Sequence, residues 1–204
     1  HSDKMYLNSQ LYNRIKSINV NTLKGEDRRL TEYYLQQFEL AGAKLSAEDK
    51  EKMKKINEEL ASLSTSFTNK LLIARKNGAV LFDSEKELEG LSADELTAAK
   101  AKAKEASHEG KYLIGLLNTT QQPLLPSLKN RATREKIFTS GWTRAEKNDS
   151  GDTRALLEQM AKLRLQKAQL MGKKSFAEWR LQDQMAQLPA NAMDLLAKLA
   201  KPAV

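Results

Sequence analysis

The stretch HEGKY at residues 108–112 opens with His108 and Glu109. Two histidines four apart on one helix face, with a glutamate after the first, can hold a zinc ion and activate its water. Here the fifth position is Tyr112 and the third is Gly110, a residue that weakens a helix. The segment therefore reads as a loop, with an exposed His108 between a helix ending near Ser107 and a strand starting at Lys111. The chain has one other histidine, His1, and no cysteine, so a thiolate site is excluded. A zinc site would need carboxylates around one imidazole, and no such cluster is evident. No catalytic zinc is expected in this chain, and no catalytic or metal-binding residue is assigned.

Other chemistry-bearing patterns are missing too. There is no GxxxxGK[ST] phosphate loop, no GxGxxG turn and no GxSxG elbow. EKNDSGDTRALL resembles a calcium loop, with Glu146, Asn148 and Ser150 as early ligands once Gly151 is aligned to the required glycine. That alignment puts Leu157 where a bidentate glutamate must sit. Glu58 and Glu59 fall on a helix face and read as solvated.

The elements that would position any site are mostly helices, because apolar residues recur every three or four positions. Met5 to Ile18 makes a first amphipathic helix, and Leu30 to Phe38 belongs to a second that stops near Gly42. Ser46 starts a long helix whose stripe is Met53, Ile56, Leu60, Leu63, Phe67 and Leu71. Asn77-Gly78 is expected to close it with a left-handed residue. Between residues 79 and 125 the pattern changes. Residues 79–82 and 111–117 read as two short strands, separated by an alanine-rich helix that Ser92 caps. Two strands alone are marginal in water, so this ribbon must lie on helices. Helices resume over about 127–140 and over Thr153 to Met171, the latter capped by Asp152 and ended by Gly172. Ser175 opens another, with Phe176, Trp179 and Met185 on its apolar side, and Pro189 opens a last one that runs out at Val204. The fold class is mainly α: an array of long antiparallel helices with a small two-stranded β ribbon, in a single domain over 1–204.

Thirty-four lysines and arginines against 26 acids give a net charge of +8. Residues 129–180 hold thirteen of the basic and six of the acidic groups, a local excess of +7. A basic half suggests an anionic partner, and Phe138, Trp142, Phe176 and Trp179 interleave with its arginines as a base-stacking platform would require. Phe138, Phe176 and Trp179 nevertheless fall at core positions of helices, and no nucleic-acid motif frames them. A self-contained basic helical module binding an anionic partner such as nucleic acid is the alternative reading. No apolar run approaches the ~20 residues that cross a bilayer, so no membrane partner is expected.

RATREKIFTSGWTRAEKND at 131–149, within a longer stretch over 116–186, resembles the N-terminal half of bacterial peptidyl-dipeptidases. These form the dipeptidyl carboxypeptidase branch of the thimet oligopeptidase and neurolysin family of zinc metallopeptidases. Residues 38–72 resemble the same enzymes further upstream. The resemblance implies an excised helical portion of a longer, two-lobed, channelled enzyme, in which zinc is bound by an HExxH motif and a glutamate beyond this sequence. It implies a parent that hydrolyses short peptides with Zn2+ and releases C-terminal dipeptides. This chain would be the channel-forming, non-catalytic part. Its partners would be oligopeptide substrate and the C-terminal catalytic half. Arg131, Arg134, Arg144 and Arg154 are candidates, by charge, to hold the substrate carboxylate. The competing reading is local pairing with Glu135, Glu146 and Asp152. The cytoplasm is the expected compartment, with the periplasm left open.

Overall fold

The computed structural model describes residues 2–117, 122–200 and 202–203. His1 and Val204 lie outside the described residues, and the last helix, expected to run to Val204, ends at Ala200 with residues 202–203 in a turn. The chain divides into two compact units, one of residues 1–62 with 159–204 and one of residues 63–158.

The first unit is helical. It contains α1 (Ser2–Tyr6), α2 (Ser9–Lys16), α3 (Gly25–Ala41) and the start of α4 (Ala47–Asn77), then most of α7 (Arg154–Leu170), α8 (Phe176–Arg180) and α9 (Pro189–Ala200). The helix expected over Met5 to Ile18 is two helices. Asn8 leaves helical geometry, with ψ at 107°, and its side-chain oxygen accepts the Gln10 and Leu11 N–H groups at 3.0 and 3.1 Å. An asparagine that satisfies the orphan donors of a first turn starts a new helix there. Gly42 ends α3 as expected, at φ 107°, and the next residue's N–H closes back on the Phe38 carbonyl at 2.9 Å.

Phe38 is buried at the centre of this unit, between Tyr12, Ala43 and the edge-on ring of Tyr6 5.1 Å away. The buried Tyr12 donates its hydroxyl to Glu39 at 2.8 Å, and Lys44 pairs with the same carboxylate at 2.7 Å. Burial works to raise the Glu39 carboxyl, but the Lys44 and Tyr12 hydrogen bonds outweigh it and hold the group below its ordinary value. A carboxyl depressed in the folded state adds stability above the unfolded value of about 4.3, and that stability is lost as pH falls through the folded value. Tyr12→Phe should therefore cost about 1 kcal/mol at neutral pH. The difference in melting temperature between variant and wild type should shrink between pH 5 and 3. A difference constant over that range would show that the hydroxyl acts independently of the Glu39 charge.

The second unit carries the rest of α4, β1 (Val80–Phe82), α5 (Ala93–Glu105), β2 (Tyr112–Ile114), α6 (Arg131–Trp142) and the first residues of α7. The strands pair antiparallel, Val80 with Ile114 and Phe82 with Tyr112. β2 stops at Ile114 rather than continuing to Leu117. The ladder runs out of partner, because the N–H of Ala79, just before β1, is taken by the Lys76 carbonyl at the end of α4. Val80, Phe82, Leu88, Ala99, Ile114, Leu128 and Ile137 form one buried cluster, so the ribbon rests on α5 and α6 as its marginal size requires. The Ser92–Glu95 capping box is present.

Gly78 does not adopt the left-handed conformation expected of it. Its role is steric: a Cβ there would lie 2.4 Å from Leu116 Cδ1 and 3.0 Å from the Ala74 carbonyl oxygen. Two side chains expected in the core are outside it. Phe138 is 52% exposed and stacks on the 69% exposed Trp142. Met185 is fully exposed, because α8 ends at Arg180 before it can carry Met185 back to the apolar side. Phe176 and Trp179 are half-buried. No described helix is long and apolar enough to cross a membrane.

Candidate functional site

The four candidate arginines lie in the second unit, and their environments separate them. Arg154 opens α7 and binds Asp152 through both Nε and Nη2, while Asp152 also accepts the backbone N–H groups of Arg154 and Asn148. The Arg154 hydrogen bonds hold the Asp152 carboxyl far below the usual carboxylate range. Asp149, in the same loop, accepts from the Gly151 N–H at 2.8 Å and from the Asn77 amide at 3.1 Å. The acids of the calcium-like stretch therefore hold the loop and the start of α7. Gly151 fits there because a Cβ would stand 2.8 Å from the Ala74 backbone nitrogen.

Arg134 donates through Nη1 to the Leu128 and Lys129 carbonyls at 2.7 and 2.8 Å, bracing the turn that leads into α6. Arg144 donates to the Leu117 carbonyl. Among the described residues, the local pairing expected with Glu135, Glu146 and Asp152 forms for Arg154 with Asp152, while Arg134 and Arg144 bond to backbone carbonyls. Arg131, one residue past the Asn130 cap of α6, is exposed and has no hydrogen-bond or ion-pair partner among the described residues. With Leu125, Arg134, Glu135 and Phe138 it lines an open cavity of about 360 Å³. An unpaired guanidinium beside an aromatic platform can take a carboxylate in its planar fork.

HEGKY joins α5 to β2. The Ala103 carbonyl accepts the His108 N–H at 2.8 Å while Ser107 turns left-handed at φ 63°, a helix-ending arrangement. His108 is exposed, Glu109 lies 3.9 Å from Lys104, and the Tyr112 hydroxyl donates to Glu85 at 3.3 Å. Among the described residues no three His, Cys, Asp or Glu side chains gather as a metal would need. This donor set does not fit a zinc ion.

The first unit holds a cleft that the sequence did not reveal. Asp3 from α1, Asn57 from α4, Lys167 from α7 and Trp179 from α8 line a cavity of about 230 Å³, together with Arg180 and Asp183. Lys167 Nζ donates to Asn57 Oδ1 at 2.7 Å, and the Asn57 amide donates to both Asp3 carboxylate oxygens at 3.1 and 2.9 Å. The ammonium sits 4.9 Å from the centre of the Trp179 ring, whose Nε1 is tied to the Leu40 carbonyl at 3.1 Å. No carboxylate lies within ion-pair distance of Lys167 among the described residues. Burial lowers its pKa, and the more distant Asp3 charge offsets this in part. Lys167 is separated from Asn57 by 110 residues and reads in sequence as one more basic residue of a helix, so no local signal marks it.

Residues 124–204 match the family model described as Peptidase family M3. The whole chain is similar to the dipeptidyl carboxypeptidase of Escherichia coli (strain K12), 41% identical over 99% of this chain and 30% of that protein. It is 34% identical to a probable cytosolic oligopeptidase A of Arabidopsis thaliana, over 93% of this chain and 28% of that protein. The oligopeptidase A of Salmonella typhimurium is 32% identical over 89% of this chain and 27% of its own. The chain thus spans about 30% of the length of the curated relatives it matches.

Proposed function

We propose that this chain, which belongs with the M3 peptidases, serves as a non-catalytic, channel-forming helical part of a longer zinc-dependent peptidyl-dipeptidase. The observation that carries the reading is the 41% identity to a dipeptidyl carboxypeptidase along nearly the entire chain. Zinc and the general base that activates its water would come from another part of that protein; among the described residues no cluster of His, Cys, Asp or Glu gathers that could hold the ion. The helical body would wall a channel and limit the size of the peptide admitted. Of the four arginines, Arg131 supports a substrate role best, because Arg134, Arg144 and Arg154 are already engaged in holding turns. It would anchor the free carboxylate that a dipeptide-releasing enzyme must recognise.

One experiment has two arms. The chain alone, given zinc and a quenched fluorescent peptide, should bind no stoichiometric metal and release no product. Turnover that a chelator silences would overturn the non-catalytic assignment. In the full-length protein, Arg131→Ala should raise KM about tenfold or more for peptides with a free C-terminus and leave their C-terminal amides unaffected. Equal effects on acid and amide would remove Arg131 from substrate contact.

A further inference from the structure

We propose that the cleft between α1, α3, α4, α7 and α8 binds a small zwitterion of the amino-acid or dipeptide class, with Lys167 taking its carboxylate and an aspartate of the same wall taking its ammonium. The proposal does not rest on the peptidase reading.

Lys167 is the starting point. An ammonium carries three donors, and here one is used on Asn57 Oδ1 while the Trp179 ring covers another side. The amine is partly out of water with no anion in contact among the described residues, and a desolvated cation in that condition is costly. A carboxylate entering the cleft would supply the missing partner and convert a burial cost into a charge-assisted hydrogen bond.

The rest of the wall argues for a ligand carrying both signs. Two cations, Lys167 and Arg180, and two carboxylates, Asp3 and Asp183, line the cavity. Arg180 and Asp183 already pair at 3.1 Å, so the charge left over for a ligand is close to balanced. A polyanion such as a nucleoside triphosphate would meet two carboxylates and gain little. A molecule with one carboxylate and one ammonium satisfies both kinds of wall at once. Asp3 spends its two oxygens on a single Asn57 amide nitrogen, which leaves acceptor sites open for an ammonium.

Size points the same way. A volume of about 230 Å³ is roughly eight waters at ~30 Å³ each, enough for an amino acid or dipeptide and below the usual ~300 Å³ floor of a drug-sized pocket. The Trp179 ring, held by its bond to the Leu40 carbonyl, forms an apolar part of the wall.

The chain has two tryptophans, so Trp142→Phe leaves Trp179 as the sole indole reporter of the cleft. Alanyl-alanine titrated into this variant should change Trp179 emission saturably. Alanyl-alanine amide, without the carboxylate, and N-acetyl-alanyl-alanine, without the ammonium, should each bind at least tenfold more weakly. Lys167→Met should abolish the response to alanyl-alanine. No saturable change overturns the proposal, and so does equal binding of the dipeptide and its amide. The amide comparison uses unaltered cleft residues, so it decides the matter even if Lys167→Met fails to fold. A chain that proved to be no part of a peptidase would leave all these outcomes in place.

Discussion

Gly90→Ala should destabilise the protein by about 3 to 5 kcal/mol, lowering the melting temperature by roughly 10 °C or more. Gly90 sits at φ 105°, which L side chains avoid, and that strain alone costs an alanine about 1 to 3 kcal/mol. The larger effect is steric. A Cβ at Gly90 would lie 2.0 Å from the Ser127 carbonyl oxygen and 3.0 Å from its carbon, both backbone atoms with no rotamer to escape through. The approach is held closed by the Lys129 N–H donating to the Glu89 carbonyl at 2.8 Å and by the Lys129–Glu89 ion pair at 3.0 Å. Gly110→Ala is the matching control. Gly110 has φ 80° but nothing within 4 Å of the added carbon, so only the strain remains. Thermal melts of the two variants should separate clearly, and equal losses would show that Ser127 yields to the new methyl group.

Phe82→Ala should cost about 3 to 5 kcal/mol, the range for emptying a fully buried aromatic site. Phe82 is 1% exposed and lies in one buried cluster with Val80, Leu88, Ile114 and Ile137. The Lys136 ammonium also loses the ring it covers at 4.7 Å, a contact worth about 0.5 to 1 kcal/mol at an exposed site. Phe138→Ala, on α6, should cost under about 1 kcal/mol, because half of that ring already faces water and its one described ring partner is the exposed Trp142. Urea unfolding of the pair measures the difference. Similar losses would mean that the ring at 138 is packed in solution.

How much of this was legible in the sequence depends on the range over which each feature is decided. Helix ends decided within one turn of the chain were readable: the starts at Ser92 with Glu95 and Ser175 with Glu178, and the left-handed stops at Gly42 and Gly172. The ribbon was readable because its apolar run changes period. The break at Asn8 was missed because an amphipathic stripe can continue through a residue that caps a second helix. The crowding at Gly78 was not readable, since it comes from Leu116, 38 positions on, and from the Ala74 carbonyl, rather than from a left-handed turn. The arginines were found by charge, but their division into braces and a free cation depends on carbonyls that composition cannot weigh. The Lys167 cleft was invisible because its members are gathered from α1, α3, α4, α7, α8 and the turn after α8, and its polar members each look alone like ordinary surface residues.

The order of segments in the two units sets a schedule for synthesis. Residues 63–158 are contiguous and leave the ribosome as a complete set. The first unit is split, and its opening 62 residues emerge early but must wait for residues 159–204, which bring Lys167 and Trp179. Residues 63–204, 142 of them (204 − 62), take roughly 7 to 28 seconds to translate at ~5 to 20 residues per second. Throughout that interval Phe38 and its aromatic neighbours lack the second half of their unit. The nascent first segment thus stays incomplete longer than the contiguous second unit.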